Sequence, residues 1–339
     1  MKYQKGINNY YNPESKRCNN LFKYYQNPAY QRAVNKENMP DFPFVSSLEF
    51  TNTCNLDCIF CARAVMTRPL GFMATELFEK ILAEYRLHKT FIKINGYGEN
   101  LLHPHALDFI KEIKAANGLY FTSNCTILDD KAAACLVANH VDVLQVSFQG
   151  VDRYGYEEQR RKSSYSQVMT NIKNLIALRG DQPYPFIHLS TTILDEPDQV
   201  IEDFIRNGFE LGVDSVGIGR TDYGRVIEEM IGDEQRKQEI LTFKKRQSLI
   251  KVPDHSYLYK YIDVNWNGVT VSSFFDFNEF IPVGDLNQDT MSEIWNHSEV
   301  LNALRVLEKH QLLNKMKVFD TFYHAWQVGE SSYNLANAD

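Results

Sequence analysis

Between residue 45 and about residue 220, short β-rich runs alternate with longer segments of helical period. Repeated βα units of this kind predict a parallel sheet with helices packed on it. A chain of 339 residues has room for one such barrel, which typically takes about 250 residues, and for an appendage. The predicted strands are Val45–Thr51, Phe91–Asn95, Leu119–Ser123, Val141–Ser147, Phe186–Thr192 and Ser215–Gly219, each followed by a helix.

Composition and turn signals divide the chain into four regions: 1–44, 45–225, 226–312 and 313–339. The first and last regions carry no assignable pattern, and the second holds the βα units. Residues 226–250 are rich in Glu, Lys, Arg and Gln, which predicts a solvated helix that leads away from the sheet and marks a boundary. The third region then predicts a small α+β extension, with a hairpin around Asn267-Gly268 and a helix that opens at Thr290 with Glu293 as its capping-box partner.

Composition also limits the class of protein. With 44% hydrophobic residues and a net charge of −7, the sequence is typical of an ordinary globular protein. No apolar run approaches the roughly 20 residues needed to span a bilayer, and the start has no secretory h-region. We therefore expect a cytoplasmic protein without a membrane partner, and the mild acidity argues against nucleic acid as a main partner.

Three of the six cysteines, Cys54, Cys58 and Cys61, lie within eight residues, directly after the first predicted strand. Such close thiols favour a soft metal. Zinc prefers four ligands, and no second Cys or His pair follows at short range. In a four-iron cubane, three cysteines would leave one iron open to an exogenous ligand. A structural zinc knuckle and unliganded core thiols are the alternatives.

The spacing of these cysteines, with Phe60 before the last of them and the βα pattern behind it, resembles the radical S-adenosylmethionine (SAM) superfamily. The resemblance implies an α/β fold with a partial (β/α)6 TIM-type barrel. It also implies a 4Fe-4S cluster on the three cysteines, with SAM bound to the fourth iron and Phe60 beside the cofactors. In that family an electron, here expected from a donor such as flavodoxin or ferredoxin, cleaves SAM to methionine and a 5′-deoxyadenosyl radical.

The family's glycine-glutamate motif resembles the stretch from Tyr97 to Leu102, with Gly98 and Glu99 at its centre. Glycine lets the backbone approach SAM, and a carboxylate or carbonyl oxygen can accept hydrogen bonds from the SAM ammonium group. Asn100 stands in place of the usual proline. The resemblance therefore assigns Gly98 and Glu99 to cofactor binding.

Three further residues match the family's SAM-binding positions. Asn124 follows the third strand, Ser147 ends the fourth and is expected to face the SAM ribose, and Arg160 is expected to pair with the methionine carboxylate. Arg160 could equally be a surface charge, and the neighbouring Arg161 leaves the register open. Cys125 replaces the family's glycine, either as a thiol that returns a hydrogen atom to a substrate radical or as a small buried hydrophobe.

The C-terminal third resembles the SPASM or twitch extension of the same superfamily. Ser272 and Ser273 stand where that extension has cysteine, and no cysteine follows Cys135. We infer a degenerate extension without an auxiliary cluster, which favours redox-neutral chemistry because a built-in electron acceptor is missing.

The sequence thus predicts an enzyme that uses SAM as a radical source and abstracts a hydrogen atom from a carbon of its substrate. We expect a sugar, nucleoside or related small metabolite. A peptide-modifying enzyme, such as an epimerase, is the alternative within the family. A zinc-stabilised, non-catalytic binding protein is the alternative from another class.

Overall fold

The computed structural model describes residues 2–4, 9–35, 39–247, 251–252, 256–313 and 325–326. The strands are β1 (Asn9–Tyr11), β2 (Val45–Leu48), β3 (Asp57–Cys58), β4 (Phe91–Ile94), β5 (Leu119–Ser123), β6 (Val143–Ser147), β7 (Arg160–Arg161), β8 (Phe186–Ile193), β9 (Ser215–Arg220), β10 (Lys251–Val252), β11 (Tyr261–Val264), β12 (Val269–Val271), β13 (Pro282–Asp285) and β14 (Ala325–Trp326). The α-helices are α1 (Asn20–Tyr25), α2 (Pro28–Val34), α3 (Thr75–His88), α4 (Ala106–Lys114), α5 (Asp130–Ala138), α6 (Arg153–Gln159), α7 (Tyr165–Arg179), α8 (Asp198–Leu211), α9 (Glu234–Arg246), α10 (Met291–His297) and α11 (Glu299–Lys309).

The six predicted strands form the centre of one sheet. β2, β4, β5, β6, β8 and β9 lie side by side in chain order and are all parallel. β1 pairs antiparallel with β9, and β11 pairs parallel with β2, so the sheet stays open in the described part of the chain. The predicted α/β class and the open (β/α)6 arrangement are confirmed.

Helices cover the outer face of this sheet because each presents an apolar stripe to it. In α3 the predicted face of Leu77, Phe78, Ile81, Leu82 and Tyr85 is buried. In α7 the stripe is buried in the same way, and the helix ends at Gly180, whose φ of 52° suits glycine.

A second apolar cluster closes the amino-terminal end of the barrel. Tyr120, Val143 and other residues at the starts of the strands pack there against side chains of the two N-terminal helices. The region 1–44, which the sequence left unassigned, therefore supplies both this plug and the edge strand β1. The buried members of the cluster are Leu21, Tyr30, Val45, Phe91, Tyr120, Val143 and Phe186.

The C-terminal extension continues the barrel sheet. β11 and β12 form the predicted hairpin, with Gly268 at φ 90°, and β13 follows β12 antiparallel. The capping box at α10 is present, because Thr290 accepts from the Glu293 N–H and the Glu293 carboxylate accepts from the Thr290 N–H. Both local predictions are confirmed.

Two expectations about these elements were wrong. The first barrel strand ends at Leu48 rather than Thr51, because Thr51 instead bridges Phe72. The helix expected to be solvated and to lead away from the sheet, α9, buries Ile240 and Phe243 and packs over the cysteine loop. These two apolar residues, three positions apart, are enough to pack the helix against the protein. The many charged residues around them led to the prediction of a solvated helix.

No helix in the described ranges is long and apolar enough to cross a membrane. The tail from residue 313 falls almost wholly outside those ranges.

Candidate active site

The three clustered cysteines lie on the loop that follows β2. Cys58 belongs to β3, which pairs with β7 so that Cys58 is opposite Arg160. Arg236 of α9 donates to the Asp57 carboxylate over 2.9 Å and secures the loop from outside. The loop is therefore held by contacts on two sides, from elements about 100 and about 180 residues away in sequence.

All three thiols are unpaired and partly buried, and they line one cavity of about 330 Å³ at the carboxyl ends of the strands. The active sites of such barrels lie at this end. The cavity is lined by Cys54, Leu56, Cys58, Phe60, Cys61, Ala62, Asn95, Gly96, Tyr97, Gly98, Glu99, Asn100, Thr122, Ser123, Asn124, Gln145, Ser147, Arg160, Arg225 and Phe274.

Burial governs the acidity of two of these thiols. Desolvation raises the pKa of Cys54, and it raises the pKa of Cys58 to about 12, although the positive charge of Arg160 acts in the opposite direction. Thiols in this state become metal ligands when a metal displaces the proton.

The donor set fits a cubane cluster better than a single metal ion. Within the described ranges, no three His, Cys, Asp or Glu side chains are grouped closely enough to hold one ion. A cubane distributes its thiolates over different irons and so needs three sulfurs that line a common space rather than meet at one point. Cys54, Cys58 and Cys61 meet that condition.

Gly98 is required by the packing of the backbone. A Cβ at this position would lie 2.1 Å from the Thr51 carbonyl oxygen and 2.6 Å from that of Thr53. The Glu99 N–H donates to the same Thr53 carbonyl over 2.9 Å. The glycine therefore brings this strand end against the start of the cysteine loop.

Glu99 is buried but well supplied with donors. Its carboxylate accepts from the Asn124 N–H (2.7 Å), the Ser123 hydroxyl (3.0 Å) and the Leu101 N–H (3.2 Å). Desolvation raises its pKa, and these hydrogen bonds oppose that effect. The carboxylate is thus held rigidly at the cavity wall.

Asn124 ties the next strand end to the cysteine loop. Its side-chain NH2 donates to the Asn55 side-chain oxygen over 3.1 Å and lies 3.9 Å from the Cys54 sulfur. The following residue, Cys125, has φ 57°, a conformation that favours glycine. This explains the glycine of the family pattern at this position.

Cys125 itself is fully buried and is not among the cavity-lining residues. Desolvation raises the pKa of its thiol well above the usual value. The geometry favours the small-hydrophobe interpretation over that of a hydrogen-atom donor, which stays a prediction.

Of the two neighbouring arginines, Arg160 and not Arg161 faces the interior of the barrel. It is 5% exposed, donates to the Ser147 hydroxyl (2.7 Å) and the Phe148 carbonyl (3.2 Å), and lies 5.7 Å from the Phe60 ring. Its Nε has no hydrogen-bond partner among the described residues. Arg161, in contrast, points outward and pairs with a glutamate of α9.

The sequence analysis missed another group of cavity-lining residues, Tyr97, Arg225 and Phe274. Tyr97 stacks on Phe274 at 4.8 Å and donates its hydroxyl to the Phe274 carbonyl. Arg225 lies over the Phe275 ring and is paired with Asp222 at 2.9 Å. A signal for Arg225 was present, since it closely follows the sixth strand, but that stretch was taken as the approach to a boundary.

Ser272 and Ser273, the positions where cysteine was expected, are buried just before Phe274. The loop after β12 contributes the aromatic side chain of Phe274, which directly follows these two serines, to the cavity.

Comparison with known proteins points to the same superfamily that the cysteine motif resembles. The family model described as "Radical SAM superfamily" matches residues 48–208. A curated relative from Pyrococcus furiosus, the tungsten-containing aldehyde ferredoxin oxidoreductase cofactor-modifying protein, is 27% identical over 174 residues, which cover 50% of this chain and 49% of the relative. The match thus spans about half the length of that relative.

Solved structures share the fold. Streptococcus suis SuiB bound to its precursor peptide SuiA aligns with a TM-score of 0.63 at 12% identity, covering 82% of this chain and 70% of SuiB. anSMEcpe with bound AdoMet and the Cp18Cys peptide aligns with a TM-score of 0.56 at 13% identity, covering 82% of this chain and 88% of that one.

Proposed function

Residues 48–208 form a radical SAM domain, so the chain belongs to the radical SAM superfamily, and from that membership we propose a function for its cavity. Cys54, Cys58 and Cys61 hold a 4Fe-4S cluster at which SAM is reductively cleaved, and a hydrogen atom is then taken from a carbon of a small polar substrate.

One observation carries this proposal. The three thiols line the same cavity as Gly98, Glu99, Asn124, Ser147, Arg160 and Phe60, which come from the ends of different strands and from separate loops. The sequence selected every one of these residues independently of their positions in space. Their convergence supports a site that binds cluster and SAM together.

When bound, the cluster and SAM supply a 5′-deoxyadenosyl radical, and the side chains of the chain orient and enclose the cofactors. Arg160 lines the cavity with a guanidinium that Ser147 fixes at Nη2, and this group would pair with an anionic group such as the methionine carboxylate. Glu99 presents an oriented acceptor for the SAM ammonium, because three protein donors already hold its carboxylate in place. An electron carrier such as a flavodoxin or ferredoxin is the proposed reductant.

The reaction we propose is redox-neutral. Ser272 and Ser273 stand where the extension would have cysteine, so an auxiliary cluster to take an electron from the substrate radical has no cysteine ligands there. Consumption of one SAM per oxidised product, without an added electron acceptor, would contradict this part of the proposal.

The test is anaerobic incubation of the reconstituted, dithionite-reduced protein with SAM, followed by measurement of 5′-deoxyadenosine, first alone and then with candidate substrates. We expect about four irons and four sulfides per chain and product from the wild type. A Cys54→Ala, Cys58→Ala, Cys61→Ala triple variant should lose both. Cys18→Ala, which removes an exposed thiol outside the cavity, is the matched control and should retain both.

Peptide modification is the second candidate, because SuiB and anSMEcpe have been solved with bound peptides on this fold. Enhanced 5′-deoxyadenosine formation with peptides but not with small polar molecules would favour it. Membership of an enzyme superfamily overturns the alternative of a non-catalytic zinc protein.

A further inference from the structure

A small recess adjoins the main cavity. Its volume is about 10 Å³, and it shares Asn95, Gly96, Tyr97 and Phe274 with the cavity. A space of this size accommodates about one water-sized group. Three carboxylates line it, from Glu49, Asp263 and Asp276.

Two of these carboxylates are neutralised or hydrogen-bonded within the protein. Glu49 forms a buried ion pair with Arg68 at 2.7 Å and accepts from the Tyr97 N–H over 2.9 Å. Asp276 accepts from the backbone N–H groups of residues 280 and 281, each over 2.8 Å. Both side chains therefore have structural roles.

Asp263 differs from both. It is 4% exposed, and neither of its carboxylate oxygens has a hydrogen-bond partner among the described residues. Side-chain hydrogen bonding from Ser47 and Tyr261 lowers its pKa, although these contacts fall outside the ordinary distance and angle limits of a hydrogen bond. The nearby cation, Lys93, attracts the carboxylate but lies over the rings of Tyr120 and Tyr261 at 5.3 and 5.7 Å.

An unpartnered buried carboxylate is costly, since a buried polar group without a hydrogen bond loses its hydration and gains nothing in return. Burial raises the pKa of Asp263 to about 7, so near neutral pH it exists in both protonation states. β11 carries this residue at the register of Ser47 in β2, on the side of the sheet that faces the recess. A hydrogen-bond donor that enters the recess would therefore complete the hydrogen bonding of this carboxylate.

We propose that Asp263 is a substrate-binding residue, which accepts a hydrogen bond from a hydroxyl or amine group of a small polar substrate such as a sugar or amino sugar. This inference rests on the proposed function, because it places the substrate in the cavity that holds the radical source.

The test measures binding of three matched probes, glucosamine, glucose and glucuronate, to the reconstituted protein with SAM and without reductant, by isothermal titration calorimetry. The wild type should bind glucosamine or glucose at least fivefold more tightly than glucuronate, and Asp263→Asn should remove most of that preference. Preference for glucosamine over glucose identifies an amine as the donor, and equal binding identifies a hydroxyl. Absence of binding by all three probes, or the same preference in both proteins, would overturn the proposal.

Thermal unfolding of the same preparations separates binding from structure. Asp263→Asn should lower the Tm less than Asp276→Asn, because the Asp276 carboxylate accepts from two backbone N–H groups, whereas Asp263 accepts no hydrogen bond of ordinary geometry from the described residues. A comparable loss of Tm in both variants would make Asp263 structural and end the proposal. Formation of 5′-deoxyadenosine by the wild type is measured separately. If none forms, the proposed function is contradicted, whatever the binding of the three probes shows.

Discussion

Two walls of the cavity differ in how many of their polar groups form hydrogen bonds within the protein. We call the part formed by Glu99, Ser147 and Arg160 the first wall, and the part formed by Tyr97, Phe274 and the adjoining recess the second wall. On the first wall, Glu99 accepts three hydrogen bonds, and Arg160 donates two, both through Nη2. On the second wall, Tyr97 and Phe274 form an aromatic stack, and Asp263 in the adjoining recess has no hydrogen-bond partner in the described chain. The first wall is thus held by hydrogen bonds within the protein, as the proposed SAM site requires, while the second keeps the buried acceptor on which the proposed substrate contact rests.

The largest effect is expected at the junction of the first wall with the cysteine loop. Gly98→Ala places a methyl group 2.1 Å from a carbonyl oxygen that cannot move without displacing the loop. We expect a loss of at least about 3 kcal/mol in the free energy of unfolding and of more than about 1000-fold in 5′-deoxyadenosine formation. Gly232→Ala, where the added methyl group meets no atom within 4 Å, is the control and should change neither quantity measurably.

Arg160→Lys removes the planar fork but keeps the charge. Because the guanidinium bonds Ser147 and Phe148 with one nitrogen and leaves another for a ligand, we expect the KM for SAM to rise by about 100-fold, or roughly 2.7 kcal/mol. Arg161→Lys, whose side chain pairs on the outside with Glu239, should alter KM less than about twofold. If the two substitutions changed the KM for SAM equally, Arg160 would have no specific role in binding SAM.

Asp263 on the second wall should make stability depend on pH. Its pKa is raised from 3.8 to about 7, so the folded state binds the extra proton within that window and loses stability as pH rises through it. Burial is the main cause; Lys93 opposes it and Glu49 reinforces it, and Asp276 lines the same recess. Between about pH 5.5 and pH 8, the wild type should lose roughly 2 kcal/mol relative to Asp263→Asn, measured by guanidinium unfolding. Parallel pH curves for the two proteins would mean that Asp263 has a partner.

Cys125, behind the first wall, should show the smallest effect. Cys125→Ala removes one buried sulfur and leaves the positive φ unchanged, so we expect a loss of about 1 kcal/mol in the free energy of unfolding and little change in 5′-deoxyadenosine formation. A variant that unfolds like the wild type but no longer converts substrate would support the other interpretation, a thiol that returns a hydrogen atom.

The first wall could be predicted because its residues stand at strand ends in short local patterns. Leu119–Ser123 was predicted with its observed bounds, and Glu99, Asn124 and Ser147 were assigned because the stretches that follow the predicted strands resemble family motifs. Such motifs lie together in space because the carboxyl ends of neighbouring parallel strands meet at the same edge of the sheet.

The second wall could not be predicted in this way. Asp263 lies in an alternating hairpin strand and is an ordinary polar position until β11 pairs with β2 and turns that side chain into the barrel. Phe274 reaches the cavity from the loop after β12, which pairs with β11, and Arg225 reaches it from the loop after β9, which pairs with β8. Long-range register carries no local signal, so these residues emerge only from the assembled sheet.

The pairing of β11 with β2 also sets an order of events during synthesis. β2 gains its neighbour β4 early, but its other edge stays unpaired until residues 261–264 have been made. At about 5–20 residues per second, this edge is unpaired for roughly 10–30 seconds. The partners that hold the cysteine loop, in β7 and α9, are made within that interval, so the loop can gain its own contacts before the sheet edge beside it is closed.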